Sequence, residues 1–395
     1  MIPKRLDDIT EAELQSLVDN SVEESRTIEY KSQLPGNSDG DKKEFLADVS
    51  AFANTAGGDL IYGIAEDKDN KPVSLDGLEI ENIDKTIRRL EDIIIHGLEP
   101  RIPLPEFKLV SLANSKQVLI IRINKSWNSP HRVSFQHYDK FYGRGANRKY
   151  LLSVDELRTA FNLSELTSER MKNFRVNRIT NIIAGDTPVQ LYIDKSPIIS
   201  LHLIPVTSFN FSHIYDLNKV DSYKELLLTI SSENSRQCKY NMDGLLYYNV
   251  IGNQAYSYVQ FLRNGIIESV WKQLNLSKES ENLLDSNRIE LELIKVLSSY
   301  LNFLKKIETE PPIFIFLTIM GVKEHYIFVS RQYHLFKKFQ DNIDRDILWI
   351  PEVIIDNYEV EASKILKPCF DLMWNAGGFK GSLNYNELGE WKPQR

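Results

Sequence analysis

The chain has 395 residues, 42% apolar and 26% charged, a balance that fits a folded globular protein of two ordinary domains and excludes a disordered one. Its net charge of −7 excludes a surface coated all over in nucleic acid, and its two cysteines, Cys238 and Cys369, exclude a disulfide framework or a cysteine-rich zinc site. No segment reaches the roughly 18 uninterrupted apolar residues of a membrane span, and "MIPKRLDDITEAEL" lacks the apolar core of a signal peptide. The expectation is a cytoplasmic protein with no membrane partner.

Thr10 and Glu13 form a capping-box pattern that opens a short helix. Thr27 to Lys31 alternate polar and apolar, which predicts a strand with Ile28 and Tyr30 towards a core and Thr27, Glu29 and Lys31 on an open face. "LPGNSDGD" is a loop. Asp41 and Glu44 open a second helix that carries Phe45, Val49, Phe52 and Ala53 at helical spacing, and Asn54 to Gly58 end it. "DLIYGIAED" reads as one strand ending at Glu66 and Asp67. A helix with Ile83, Ile87, Leu90 and Ile94 on one face follows, then strands at "EFKLVSL" and "KQVLIIRIN", a strand–turn stretch from Trp127 to Ser153, and the helix "VDELRTAF".

These elements predict a mixed α/β (α+β) chain: a first domain over residues 1–163, a connecting helix over 164–187 and a second α/β domain over 188–395. The second domain has predicted strands at "PVQLYID", "PIISLHLIPV", "SYVQFLRNGIIESV" and "PPIFIFLTIMGV". Its predicted helices are "RIELELIKVLSSYLNFLKKI" and a stretch around Tyr358 to Phe370. It carries no chemical motif, and an assembly role is one reading of it.

Charge is unevenly distributed. Between Arg101 and Tyr150 ten lysines and arginines face only Glu106 and Asp139. Trp127, Phe135, Tyr138, Phe141, Tyr142 and Tyr150 are interleaved with them. Cations neutralise phosphates and aromatic rings stack on unpaired bases, so Arg132, Lys140, Arg144, Arg148 and Lys149 are candidate nucleic-acid contacts. The plainer alternative makes the rings core and the cations a solvated face. His131 is either a general acid/base or a structural hydrogen-bonder. Asn54, Gly57 and Gly58 either end the helix or present N–H groups to a phosphate. "GNSDGDK" lacks the spacing and ending of a Walker motif, which excludes a P-loop ATPase.

"ESRTIEYK", followed by "VSAFANTAGGDLIYGIAED", resembles the AlbA-like domain of the Schlafen family and its bacterial relatives, over about Thr10 to Phe161. The resemblance implies an endoribonuclease acting on tRNA or other structured RNA, or on single-stranded DNA, with three carboxylates on a divalent ion. Carried over, Glu24, Glu29 and Glu66 (or Asp67 beside it) are the ligands of Mg²⁺ or Mn²⁺, and Lys31 assists. The third acid is Glu where the family has Asp, and the chain holds one copy of a motif that vertebrate members carry twice. A homodimer or higher oligomer would supply a second copy. By analogy the role is phage defence or stress response. The alternative is a non-catalytic nucleic-acid-binding or regulatory protein using the same domain.

Overall fold

The computed structural model describes residues 1–67, 71–146, 148–209, 214–231, 236–274, 282–328 and 341–393, Ser164 by its backbone alone. The chain divides into two compact units, Met1–Ser168 and Glu169–Arg395.

The first unit opens with α1 (Glu11–Asp19), whose capping box forms as expected: the Thr10 backbone N–H donates to Glu13 at 2.9 Å. A parallel crossover follows. β1 (Ile28–Lys31) and β2 (Gly58–Tyr62) pair in parallel, Tyr30 beside Ile61, and α2 (Asp39–Asn54) joins them. Ser38 caps α2 by accepting the Asp41 N–H. At the other end Gly57 takes φ +71°, and a Cβ there would meet Ile123 O at 2.7 Å, so only glycine makes this exit.

The single strand expected after Gly57 is broken. Gly63, at φ +108°, turns the chain, and Glu66 falls on a separate strand β3 (Ala65–Glu66) paired with β4 (Pro72–Ser74). α3 (Ile83–Gly97), β5 (Leu98–Glu99), β6 (Glu106–Ser111) and β7 (Gln117–Ile123) come next, then β8 (Arg132–Phe135), β9 (Tyr138–Arg144) and β10 (Lys149–Leu151). Two four-stranded sheets result, in the orders β1–β2–β7–β6 and β10–β9–β8–β5.

The first sheet is covered on both faces, which explains the nearly unbroken apolar runs of β2 and β7. Ile28, Tyr30, Ile61, Val118 and Ile120 meet Leu14 of α1 on one side. Leu60, Tyr62, Leu119 and Ile121 meet Phe45, Val49 and Phe52 of α2 and Leu90 and Ile94 of α3 on the other. Burying each such side chain contributes about 1.5–3 kcal/mol. One consequence decides the site. The polar face of β1 is turned to the α2 side of the sheet, not to solvent, and Glu29 is only 7% exposed.

α4 (Val154–Ala184) is a single helix where the sequence suggested two, with no Gly or Pro to divide it, and the boundary between the units falls within it. In the second unit β11 (Ile198–Pro205), β12 (Arg236–Tyr240), β13 (Gly244–Ile251), β14 (Gln254–Leu262), β15 (Ile267–Lys272), β17 (Ile313–Met320), β19 (Ile347–Trp349) and β20 (Val353–Ile355) make an eight-stranded antiparallel sheet. Small β16 (Leu283–Leu284) and β18 (Tyr326–Ile327) pair apart from it. "SYVQFLRNGIIESV" is the hairpin of β14 and β15. "PVQLYID", expected as a strand, makes only an isolated bridge from Leu191 to Ala255.

Besides short α5 (Leu217–Asp221), the unit has α6 (Ser286–Lys306) and α7 (Ala362–Asn375), which share the larger core with the sheet. Ile179 and Ile182 of α4 pack on the smaller core with Tyr258 and Val270. There the buried Glu268 carboxylate accepts two bonds from Arg178, at 2.7 and 2.8 Å, and one from Tyr258 OH at 2.9 Å, with His202 Nε2 at 3.0 Å. Among the described residues no helix is long and apolar enough to cross a membrane.

Candidate acid centre

Glu24 precedes β1 in a turn closed by a bridge between Ser25 and Ile28. β1 is an edge strand, and the N–H of Tyr30 is taken by the Glu24 carboxylate at 3.0 Å. Glu24 is 7% exposed. The carboxylate thus swings in from the turn to the edge of β1.

Glu29 sits on the strand itself. Its two oxygens are paired with Lys31 and with Arg144. Arg144 closes β9 and its side chain is fully buried. It donates to Ser25 O at 2.8 Å and Ile28 O at 2.9 Å, and its guanidinium stacks over Phe52, 4.5 Å from the ring centre. Arg144, expected on nucleic acid, is instead an internal countercharge.

Asp48 completes the centre and was missed in the sequence. It lies on α2, 1% exposed, with Lys149 Nζ at 2.7 Å, and Lys149 also pairs with Glu44. The signal was present in "FLADVSAF". Asp48 stands three residues after Phe45 and four before Phe52, so it falls on the stripe that faces the core, where a charge requires a partner.

Charge and burial separate these acids. Burial, then the charge of Glu29 and that of Glu66, push the Glu24 carboxyl up to about 8, against the Tyr30 N–H. Burial also works to raise Glu29, but Lys31 and Arg144 outweigh it and hold Glu29 below the ordinary range. Burial raises Asp48 to about 6, against Lys149. For Lys31 burial favours loss of the proton, and Glu29 and Asp48 overcome it and raise the ammonium. At neutral pH the centre therefore pairs a protonated Glu24 with an ionised Glu29. Neighbouring acids driven apart in this way are the arrangement of acid–base sites.

Glu66 is exposed on β3, with its charge felt at Glu24; Asp67 accepts the Lys71 N–H at 3.0 Å. Three hard oxygen donors suit Mg²⁺ or Mn²⁺ by chemistry. Their spacing does not: among the described residues no three His, Cys, Asp or Glu side chains stand together so as to hold a metal ion.

The remaining predicted contacts are scattered. Arg132 pairs with Glu99 at 2.5 Å and Asp139 at 3.5 Å, while Lys140 and Arg148 are exposed. Arg122, another cation of the basic window, is buried on Asp59 at 2.7 Å. The window is therefore less basic at its surface than in sequence. Two lysines outside it add to it: Lys42 and Lys43 of α2 lie over Phe135 and Tyr138, at 5.9 and 5.4 Å from the ring centres. The hydroxyls of Tyr138 and Tyr142 are hydrogen-bonded, and the charges of Glu44 and Asp48 reach Tyr142.

His131 and Asn54 are structural. His131 is buried with its Nδ1 2.7 Å from Pro100 O, and burial pushes its pKa down. Asn54 accepts the His131 N–H at 2.6 Å and donates to His131 O and Tyr142 O, tying the end of α2 to β8 and β9. Gly58 leaves room for the Phe52 ring, which a Cβ would meet at 2.2 Å.

A parallel crossover flanked by an antiparallel hairpin sheet, with a buried acid centre at the edge strand, defines a mixed α/β domain. Residues 24–153 match the family model described as Schlafen, AlbA_2, and the first unit thus carries a Schlafen AlbA_2 domain. Among solved structures, the N-terminal domain of a RecG-related protein from Nitrosomonas europaea is 26% identical, covering 35% of this chain and 88% of that one, with a TM-score of 0.26. The DIP2311 protein from Corynebacterium diphtheriae is 15% identical, covering 64% of this chain and 50% of that one, also with a TM-score of 0.26. No curated protein sequence matches the chain.

Proposed function

We propose that the first unit binds nucleic acid, RNA foremost, with the strand laid along the β8–β9 hairpin and its phosphates led towards Lys31. The observation that carries this is a pair of cation–aromatic contacts near the acid centre. Lys42 lies over Phe135 and Lys43 over Tyr138, the Tyr138 hydroxyl is bonded to that of Tyr142, and the charge of Asp48, the partner of Lys149, reaches Tyr142. Phe135, Tyr138 and Tyr142 are half-buried against the core, and their exposed parts supply contact area for unpaired bases while the lysines supply charge for the backbone. The exposed Lys140 adds a cation on β9.

A finer reading is endoribonuclease activity on tRNA or other structured RNA, dependent on Mg²⁺ or Mn²⁺. The charges of Glu29 and Glu66 both reach Glu24, and this favours it, because a bound cation would take the place of the proton that Glu24 holds at neutral pH. Glu24, Glu29 and Glu66 would then hold an ion that polarises the phosphate and lowers the pKa of a bound water. That requires the three carboxylates to come closer than they stand.

Both readings are tested together. Fluorescence anisotropy with labelled single-stranded RNA, tRNA and single-stranded DNA measures binding, and gels with Mg²⁺, Mn²⁺ or EDTA measure cleavage. Wild type is expected to bind RNA with an affinity that falls with salt, and Lys43→Ala to weaken it. Wild type that binds none of the three nucleic acids refutes the proposal. Cleavage abolished by EDTA and by Glu24→Gln would establish the finer reading, and retained binding without cleavage would leave the binding protein alone.

A further inference from the structure

We propose that Asp48 is a positioning residue that holds Lys149 beside Lys31, so that the two ammonium groups clamp the phosphate backbone at the acid centre. This rests on the nucleic-acid reading above. Asp48 is only 1% exposed, so its carboxylate is not open to a phosphate. What it can do is fix cations. Lys149 Nζ lies 2.7 Å from it, and its charge also acts on Lys31.

Both lysines are partly open, Lys31 with 28% of its side chain exposed and Lys149 with 20%. An ammonium has three N–H donors. Lys149 gives one to Asp48 and one to Glu44, and Lys31 gives one to Glu29. Each therefore has donor capacity left for a phosphate oxygen. A flexible lysine normally loses side-chain entropy on binding an anion, and a buried counterion removes that cost beforehand.

The arrangement also explains why a charged residue stands on the apolar stripe of α2 at all. The groups around Asp48 alternate in sign: Lys149 and Lys31 attract it, and Glu29 repels it. Neutralising Asp48 would leave Lys149 with Glu44 alone, on an exposed side chain.

The test is a double-mutant cycle on the full chain, using a short single-stranded oligouridylate in EDTA and anisotropy over a range of salt. Lys149→Met is expected to weaken binding and flatten the log–log salt dependence by about 0.7, the share of one phosphate contact on a single strand. Asp48→Asn is expected to do the same, and the double variant to do no more than Lys149→Met alone. Asp48→Glu is expected to restore part of the affinity. Thermal unfolding of each variant, run in parallel, shows that the protein assayed is folded. Additive losses, or an Asp48→Asn variant that is folded and binds as wild type, overturn the clamp while leaving the nucleic-acid reading intact. A wild type that does not bind overturns both.

Discussion

Replacing Arg144 by Met is the most revealing perturbation of the first unit. The substitution keeps an unbranched chain over Phe52 but removes a guanidinium that pairs with Glu29 and donates to Ser25 O and Ile28 O. Breaking a buried ion pair from one side costs about 3–5 kcal/mol, because the other charge is left without compensation. Lys31 still neutralises part of Glu29, which places the expected loss near the lower end of that range. Trp127 is the only tryptophan within residues 1–168, so 5-fluorotryptophan gives one ¹⁹F resonance that reports the first unit in the intact chain. Urea titration of that resonance measures the loss. Adding Glu29→Gln to Arg144→Met should recover about half of it, since a neutral amide needs no cation. A loss below about 1 kcal/mol for Arg144→Met would refute the view of Arg144 as an internal countercharge.

Three further outcomes are expected. Glu24 has its pKa raised in the folded protein, so the folded state holds a proton that the unfolded state has released. Stability of the first unit should therefore decline as pH rises from the ordinary carboxylate range to about 8, and Glu24→Gln should flatten that decline in the same ¹⁹F titration. Asn54→Ala leaves the N–H and C=O of His131 and the C=O of Tyr142 without their partner, at about 1–3 kcal/mol per buried group, and an unchanged thermal midpoint would contradict the role given to Asn54. In the second unit Arg178→Met strands the fully buried Glu268 with only His202 and Tyr258. A loss of about 3–5 kcal/mol is expected, read by circular dichroism as an earlier unfolding step of that unit.

Much of the crossover was legible because its signals are local. The capping box of α1, the period-2 run of β1 and the apolar stripe of α2 each depend on residues within a few positions of one another. Glu24 and Glu29 drew attention through the motif resemblance, and Glu29 also through the period-2 run of β1. What the sequence hid depends on the third dimension. The open face of β1 is covered because α2 and Arg144 close over it, and Arg144 comes from more than a hundred residues away. Separation along the chain also disguised the basic window: Arg122, Arg144 and Lys149 each find an acid that a count along the chain cannot pair with them. Gly63 divided an apparently single strand because its positive φ is invisible in an apolar–polar pattern. The length of α4 was misjudged from its even polarity, which offers no apolar stripe to follow.

The placement of Arg144 and Lys149 at the two ends of the β9–β10 turn has a consequence for how the unit opens. If that hairpin frayed alone, Glu29 would keep only Lys31, and the buried Asp48 would lose its ion-pair partner. Local opening of the hairpin is thus penalised by two distant carboxylates and not only by its own backbone bonds. Amides of β9 and β10 should exchange with solvent at rates set by the unit as a whole, an unusual property for a short pairing at the edge of a sheet. The charges that draw attention to the centre as a site also make its outermost hairpin part of the cooperative core.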